Sequence, residues 1–326
     1  MKRHANLSIF VPHLGCPYAC VFCDQKNISG EQRAPTPDEI RDMCDAFLPQ
    51  DGKNTEIAFF GGSFTAIERS LMVSMLEAAY PFVRSGRACG IRCSTRPDAI
   101  DDEILDILKG YGVTSIELGA QSMNDEVLRK NGRGHDAQSV REASALIRKH
   151  GFSLGLQMMV GMYGDADRRQ GAVRTAEELI TLRPDTVRIY PTLVLDRTPL
   201  AVLYRTGRYE PLGLEEAVDI TSELITMFRN ENINVIRVGL HYEDSLKADY
   251  LAGPFHPAFG EMCEAMIFRR KMEDMIGGRK TAVFACEPRL LSQVQGQKRS
   301  NIGYFREKGI SVSVVPEEGI RGIALK

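Results

Sequence analysis

From residue 7 onward the sequence keeps switching between two hydrophobic periods, and this alternation limits the fold more than any other feature. Short β-rich runs at 7–11, 56–60, 90–94, 115–118, 154–159 and 187–190 read as strands. Between them, residues 37–47, 70–79, 101–109, 137–150 and 172–182 carry helical patterns. Asp101 and Asp102 open the third helix as cap and first-turn acid, and Gly151 closes the fourth. Strand then helix, repeated, is the signature of βα units around a parallel sheet. Six such strands predict an α/β fold, a partial TIM barrel of the (βα)6 kind, with an open doubly wound sheet as the competing architecture.

Residues 214–230 read as a helix and 235–238 as a strand, and Gly253-Pro254 then breaks the chain. Beyond the break come a long helix at 257–276, a strand at 281–285, a short helix at 288–294, a loop at 296–299, a helix ending at 308 and a strand at 310–314. The expected division is a barrel over residues 1–253 and a small α+β domain over 254–326. With 43% apolar and 26% charged residues a packed core is expected and wholesale disorder is not. No apolar run approaches the ~20 residues a bilayer span needs. No signal-peptide apolar region follows Met1-Lys2-Arg3-His4, so a cytoplasmic protein without membrane partners is expected.

Three of the eight cysteines are clustered, as Cys16-Pro17-Tyr18-Ala19-Cys20-Val21-Phe22-Cys23. This CxxxCxxC lies just after the first strand, at the end of a barrel where active sites are built. Three thiolates can hold three irons of a cubane cluster and leave the fourth iron open to a chelating ligand. Zinc is the rival, and a structural zinc site wants a fourth ligand such as His13. Cys44, Cys89, Cys93, Cys263 and Cys286 are scattered and read as small buried hydrophobes. Cys89 and Cys93 fall on one face of one strand, without a third ligand.

After the second strand stands Gly61-Gly62-Ser63. Two glycines at a strand end let the backbone approach a ligand closely. One βα unit after a three-cysteine loop, they resemble the motif with which radical S-adenosylmethionine (SAM) enzymes bind the amino group of SAM. Ser63 stands where that motif has Glu.

Further blocks extend the resemblance: Ser94-Thr95-Arg96-Pro97-Asp98, Glu117-Leu118-Gly119-Ala120-Gln121-Ser122, Arg133-Gly134-His135, Gln157-Met158-Met159-Val160-Gly161 and Arg188-Ile189-Tyr190-Pro191-Thr192-Leu193-Val194. In this order they resemble the radical SAM half of the Elongator catalytic subunit, which modifies the wobble uridine of tRNA. More distantly they resemble oxygen-independent coproporphyrinogen dehydrogenase. The Elongator family has a longer first cysteine spacing and a C-terminal acetyltransferase domain. The segment after Pro254 is too short for that domain, so the resemblance does not carry acetyl-CoA over to this chain as a co-substrate.

The resemblance implies a 4Fe–4S cluster on Cys16, Cys20 and Cys23, and SAM as cofactor. It implies reductive cleavage of SAM to a 5′-deoxyadenosyl radical, with an electron donor such as flavodoxin or ferredoxin. Gly61, Gly62 and Ser63 are then expected at the methionyl end of SAM and Phe22 near its adenine. Ser94, Gln121, Arg133 and Gln157 fall at positions that contact the ribose and carboxylate in the coproporphyrinogen relative. Simpler roles compete: Ser94 and Gln121 as helix caps, Arg133 as a surface charge, and Tyr190 as a residue closing the barrel rather than facing a substrate.

Residues 269–308 carry ten basic and four acidic side chains, a local +6 on a chain whose net charge is −2. A basic segment on an acidic body is an electrostatic footprint for phosphates. Its helix–strand–helix–loop–helix–strand order resembles the core of a KH domain, with Gly296-Gln297-Lys298-Arg299 in place of the backbone-clamping GXXG loop. The leading expectation is therefore an enzyme acting on RNA, with tRNA foremost. The alternatives are radical SAM chemistry on a small metabolite or tetrapyrrole, and an iron–sulfur protein that binds without turnover.

Overall fold

A computed structural model describes residues 5–11, 14–16, 20–23, 33–240 and 244–326. His13, weighed above as a fourth ligand, lies outside the described residues. The strands are β1 (Ala5–Val11), β2 (Thr55–Gly61), β3 (Gly90–Thr95), β4 (Val113–Gln121), β5 (Ser153–Val160), β6 (Thr186–Pro191), β7 (Val194–Leu195), β8 (Asn234–Val238), β9 (Tyr250–Ala252), β10 (Thr281–Cys286), β11 (Ser311–Pro316) and β12 (Ile323–Leu325).

Among the described residues, seven strands form one sheet in the order β1-β2-β3-β4-β5-β6-β8. Every neighbouring pair is parallel. The order never reverses, which excludes a doubly wound sheet, whose strand order turns back at a switch point. The sheet is a partial barrel extended by a seventh strand from the 235–238 run. β7 and β9 pair separately as a short antiparallel ribbon.

Strand alternation sorts the side chains. Ile9, Ile57, Phe59, Ile116, Leu118, Leu156, Met158, Val187 and Ile189 face the helices and are fully buried in the main core. The residues between them in register face the concave side: Phe10 beside Phe60, Ser94 beside Glu117, Gln157 beside Arg188. Among the described residues β1 and β8 have no partner strand beyond them in this sheet, and Phe10 is 38% exposed on the concave side of β1.

Local signals set the helix ends. Thr36 and Glu39 form a reciprocal capping box, with Pro37 in the first turn of helix Pro37–Phe47. The Asp101 carboxylate accepts from Ile104 N–H at 2.7 Å to start helix Asp102–Gly110. Low in the barrel, Arg92 Nε donates to Glu56 at 2.9 Å, and the hydroxyls of Thr114 and Ser115 donate to the same carboxylate at 3.0 Å.

The 18-residue helix Phe259–Ile276 joins two cores. Phe259, Cys263 and Ile267 belong to the main core. Phe268, Met272 and Ile276 belong to a second core with Phe284, Val294 and Phe305. At 1.5 Å per residue the helix is about 27 Å long, enough to serve both. Asn301 ties them further, donating to the carbonyls of Ala265 and Val294 at 2.8 and 3.0 Å. In the small unit β10 lies between β11, parallel to it, and β12, antiparallel to it.

Cys44, Cys93, Cys263 and Cys286 are buried as expected, but Cys89 is exposed. It stands one residue before β3 begins, between the buried Ala88 and Gly90. Burial pushes the thiols of Cys44 and Cys93 up to about 12, which keeps them protonated and inert.

Candidate active site

The loop that carries Cys16 and the loop after β2 lock together backbone to backbone. Ser63 N–H donates to the Leu14 carbonyl at 3.2 Å. A Cβ on Gly62 would lie 2.4 Å from that same oxygen, and one on Gly15 would lie 2.3 Å from the Ser63 carbonyl. Gly15 also has φ +74°, so no larger residue fits there without strain. The side chains meet as well, with Cys16 Sγ hydrogen-bonded to Ser63 Oγ at 3.3 Å. Arg96 holds the loop from the other side: it donates to the Gly15 carbonyl at 2.5 Å and to both oxygens of Asp98 at 2.9 Å.

Residues 20–23 are tethered separately. Val21 N–H donates to the Asn131 carbonyl at 3.1 Å, and the Val21 carbonyl accepts from Leu200 N–H at 2.8 Å. Arg133 reaches back to this segment, donating through Nη1 to Cys20 Sγ at 3.2 Å and through Nη2 to the Gly119 carbonyl at 2.7 Å. Its Nε–H is buried without a partner among the described residues.

Cys16, Gly61, Gly62, Ser63, Ser94, Gln121, Arg133 and Gln157 all line one cavity of about 310 Å³ on the concave side of the sheet. Phe22 does not line it; its ring packs against the apolar cluster of Val194, Leu200, Ala201 and Tyr209. Gln121 has φ +65°, rare for a residue with a side chain, at an irregularity in the β4–β5 register. Its Oε1 accepts from Gln157 Nε2 at 3.3 Å. Ser94 donates to Glu117 at 3.3 Å rather than to a helix end. Neither Ser94 nor Gln121 is thus a helix cap, and the half-buried Arg133 is not a free surface charge.

The cavity also holds a group that sequence reasoning did not assemble. Arg188 Nε donates to Glu117 at 2.6 Å, with side chains 15% and 4% exposed. The guanidinium lies 5.1 Å from the centre of the Phe60 ring, on the opposite part of the sheet, and contacts the Tyr190 hydroxyl at 3.4 Å. Gly155 lies in register between Glu117 and Thr186, and its lack of a side chain leaves room for this contact across β5. Burial raises the Tyr190 phenol, with Arg188 opposing. Tyr190 lines the cavity. The signal was present: Glu117 and Arg188 are charges placed mid-strand between buried aliphatic residues. Close by, burial first and Arg133 second push His135 down to about 4, so its ring is neutral.

Residues 10–176 match the radical SAM superfamily, and residues 184–269 match the radical SAM C-terminal domain. The chain belongs to the radical SAM superfamily. Elongator complex protein 3 of Danio rerio is 33% identical over 161 residues, 47% of this chain and 28% of that one. The tRNA uridine(34) acetyltransferase of Methanocaldococcus jannaschii is 31% identical over 137 residues, 42% of this chain and 25% of that one. The match thus spans about a quarter of these relatives' length. Among solved structures, the archaeal Methanocaldococcus infernus Elp3 with an N-terminal deletion aligns with a TM-score of 0.65 at 20% identity. That alignment covers 84% of this chain and 64% of the other, and shows a shared fold.

Radical SAM proteins bind a 4Fe–4S cluster and SAM. The residues present fit these groups. The Gly61-Gly62-Ser63 loop lines the cavity next to the Cys16 thiol. The orphaned Nε–H of Arg133, a residue lining the cavity, is a buried donor still to be used. Among the described residues no three His, Cys, Asp or Glu side chains are gathered closely enough to hold a single metal ion. No helix among the described residues is long and apolar enough to cross a membrane.

Proposed function

We propose that this radical SAM protein cleaves SAM reductively and acts on an RNA, with tRNA the leading candidate. Cys16, Cys20 and Cys23 hold the cluster. Gly61, Gly62 and Ser63 receive the methionyl end of SAM, and Ser94, Gln121, Arg133 and Gln157 its ribose and carboxylate. The observation that carries this reading is the backbone lock between the Cys16 loop and the Gly61-Gly62-Ser63 loop at the wall of one cavity. Bound there, the cluster and SAM supply a 5′-deoxyadenosyl radical that takes hydrogen from an unreactive carbon. The chain's own task is to orient and to exclude water. The buried Glu117–Arg188 pair fixes the cavity wall opposite Phe60. The electron comes from a donor of the flavodoxin or ferredoxin kind.

Two observations support RNA. The name of the Methanocaldococcus jannaschii relative points to tRNA uridine. Within the basic segment some charges are neutralised: Arg270 pairs with Asp219, Arg289 with Glu287 and Lys308 with Glu273. Arg269, Lys298, Arg299 and Arg306 have no carboxylate at ion-pair distance among the described residues. They border one cavity of about 950 Å³ between helices Leu214–Asn230, Phe259–Ile276 and Ser300–Glu307. We also propose the division into a barrel unit (1–253) and a small unit (254–326), with helix Phe259–Ile276 shared between their cores.

The test is a gel-shift titration with tRNA at two salt concentrations. Wild-type binding should weaken steeply with salt through lost counterion release. Changing Lys298 and Arg299 to Glu should weaken binding across RNA sequences and flatten that salt slope. No salt-dependent RNA binding by the wild type would turn the reading to a small-molecule substrate.

A further inference from the structure

The sulfurs of the loop cysteines are not bare. Ser63 Oγ lies 3.3 Å from Cys16 Sγ, and Ser63 is only 2% exposed. Its backbone is pinned through Leu14, which holds its Cβ beside Cys16. Arg96 donates to the carbonyl of Gly15, the residue before Cys16, at 2.5 Å. Arg133 Nη1 lies 3.2 Å from Cys20 Sγ, with its other Nη anchored on Gly119.

We propose that Ser63, assisted by Arg96 and Arg133, is a positioning residue that raises the reduction potential of the cluster held by Cys16, Cys20 and Cys23. This rests on the radical SAM reading and goes beyond it, because it assigns Ser63 to the cluster's sulfur rather than to SAM alone. A ligating cysteine is a thiolate and has no proton to give. The Cys16–Ser63 hydrogen bond then has one possible direction, from the Ser63 hydroxyl to the sulfur. Reduction by dithionite puts one electron into the cluster, breaks no bond and makes the cluster and its thiolates more negative. Donors aimed at the ligand sulfurs favour that more negative state. Ser63 is neutral, so its effect can be separated from the charges of the two arginines. A glutamate at this position would be an acceptor beside the thiolate and would act in the opposite sense.

The experiment uses the full chain, anaerobically reconstituted with iron and sulfide and free of SAM. Its cluster is titrated with dithionite and followed by electron paramagnetic resonance. Ser63→Ala should lower the midpoint potential at equal iron content, and Ser63→Thr, which keeps the hydroxyl, should restore it. Resonance Raman supplies a readout that needs no reduction. The Fe–S(Cys) bands of the wild type should shift in deuterated water, and Ser63→Ala should lose part of that shift. An equal midpoint in wild type and Ser63→Ala overturns the inference and leaves the family assignment standing. If Ser63→Ala loads no cluster, an absence of any deuterium shift in the wild type overturns it alone. A wild-type chain that takes up no iron overturns both.

Discussion

Replacing Arg92 by Met isolates what the buried charges contribute to the barrel. Arg92 and Glu56 are 8% and 6% exposed and meet at 2.9 Å, so solvent screens them little. Burial alone would raise the Glu56 carboxyl, but the charge and hydrogen bond of Arg92 outweigh it, and the hydroxyls of Ser115 and Thr114 add to the lowering. Removing one partner of such a pair costs about 3–5 kcal/mol, because the other charge stays buried. One nitrogen of Arg92, Nη1, is itself buried without a partner among the described residues, so its removal returns about 1 kcal/mol. The net expectation is a loss of about 2–4 kcal/mol at neutral pH, a urea midpoint lower by roughly 1 M if m is near 3 kcal/mol/M. The carboxyl of Glu56 is depressed in the folded chain, so its contribution is present above the unfolded value of about 4.3 and fades as pH falls through the folded value. Without Arg92, burial raises the Glu56 carboxyl instead, so the gap between wild type and Arg92→Met should be largest near pH 7, begin to close as the variant's Glu56 takes up its proton above the usual carboxylate range, and close further as pH falls through the depressed folded value of the wild type. Urea melts of both proteins at a series of pH values measure it. Equal midpoints at pH 7, or a gap that widens in acid, would refute the reasoning. The double change Glu56→Met with Arg92→Met should recover much of the loss, since no charge is left buried.

Other outcomes follow from the site. Gly62→Ala places a methyl 2.4 Å from a backbone oxygen, so the two loops must part; SAM binding measured by equilibrium dialysis should be lost while far-ultraviolet circular dichroism is kept. Gln121→Gly keeps the left-handed backbone without strain and deletes the amide facing Gln157, so SAM affinity should fall by about 1–3 kcal/mol, and an unchanged affinity would remove Gln121 from the site.

The sheet was legible because its signal is local. Ile116, Leu118, Ile189 and Val187 alternate with polar neighbours, and that alternation both marks a strand and says which face is wet. The Cys16 and Gly61-Gly62 loops were legible because the ends of neighbouring parallel strands must come together. The Glu117–Arg188 pair was not, since it joins residues two strands apart and depends on the missing side chain of Gly155. Nor was the sharing of helix Phe259–Ile276: its two halves bury the same residue types, and only three-dimensional packing shows that they serve different cores. Phe22 was expected near the adenine of SAM, whereas its ring packs with Tyr209, Leu200 and Val194, which are remote in sequence. Cys89 shows the limit of pattern at an element's edge, where one residue decides between core and solvent.

The central claim is the cluster on Cys16, Cys20 and Cys23. Iron and sulfide analysis of the anaerobically reconstituted chain tests it most directly. The account predicts about four irons and four sulfides per chain, with broad visible sulfide-to-iron absorption. These should be lost when the three cysteines are replaced by Ala and kept in Cys44→Ala. Protein purified without oxygen that carries zinc and takes up no iron would contradict it.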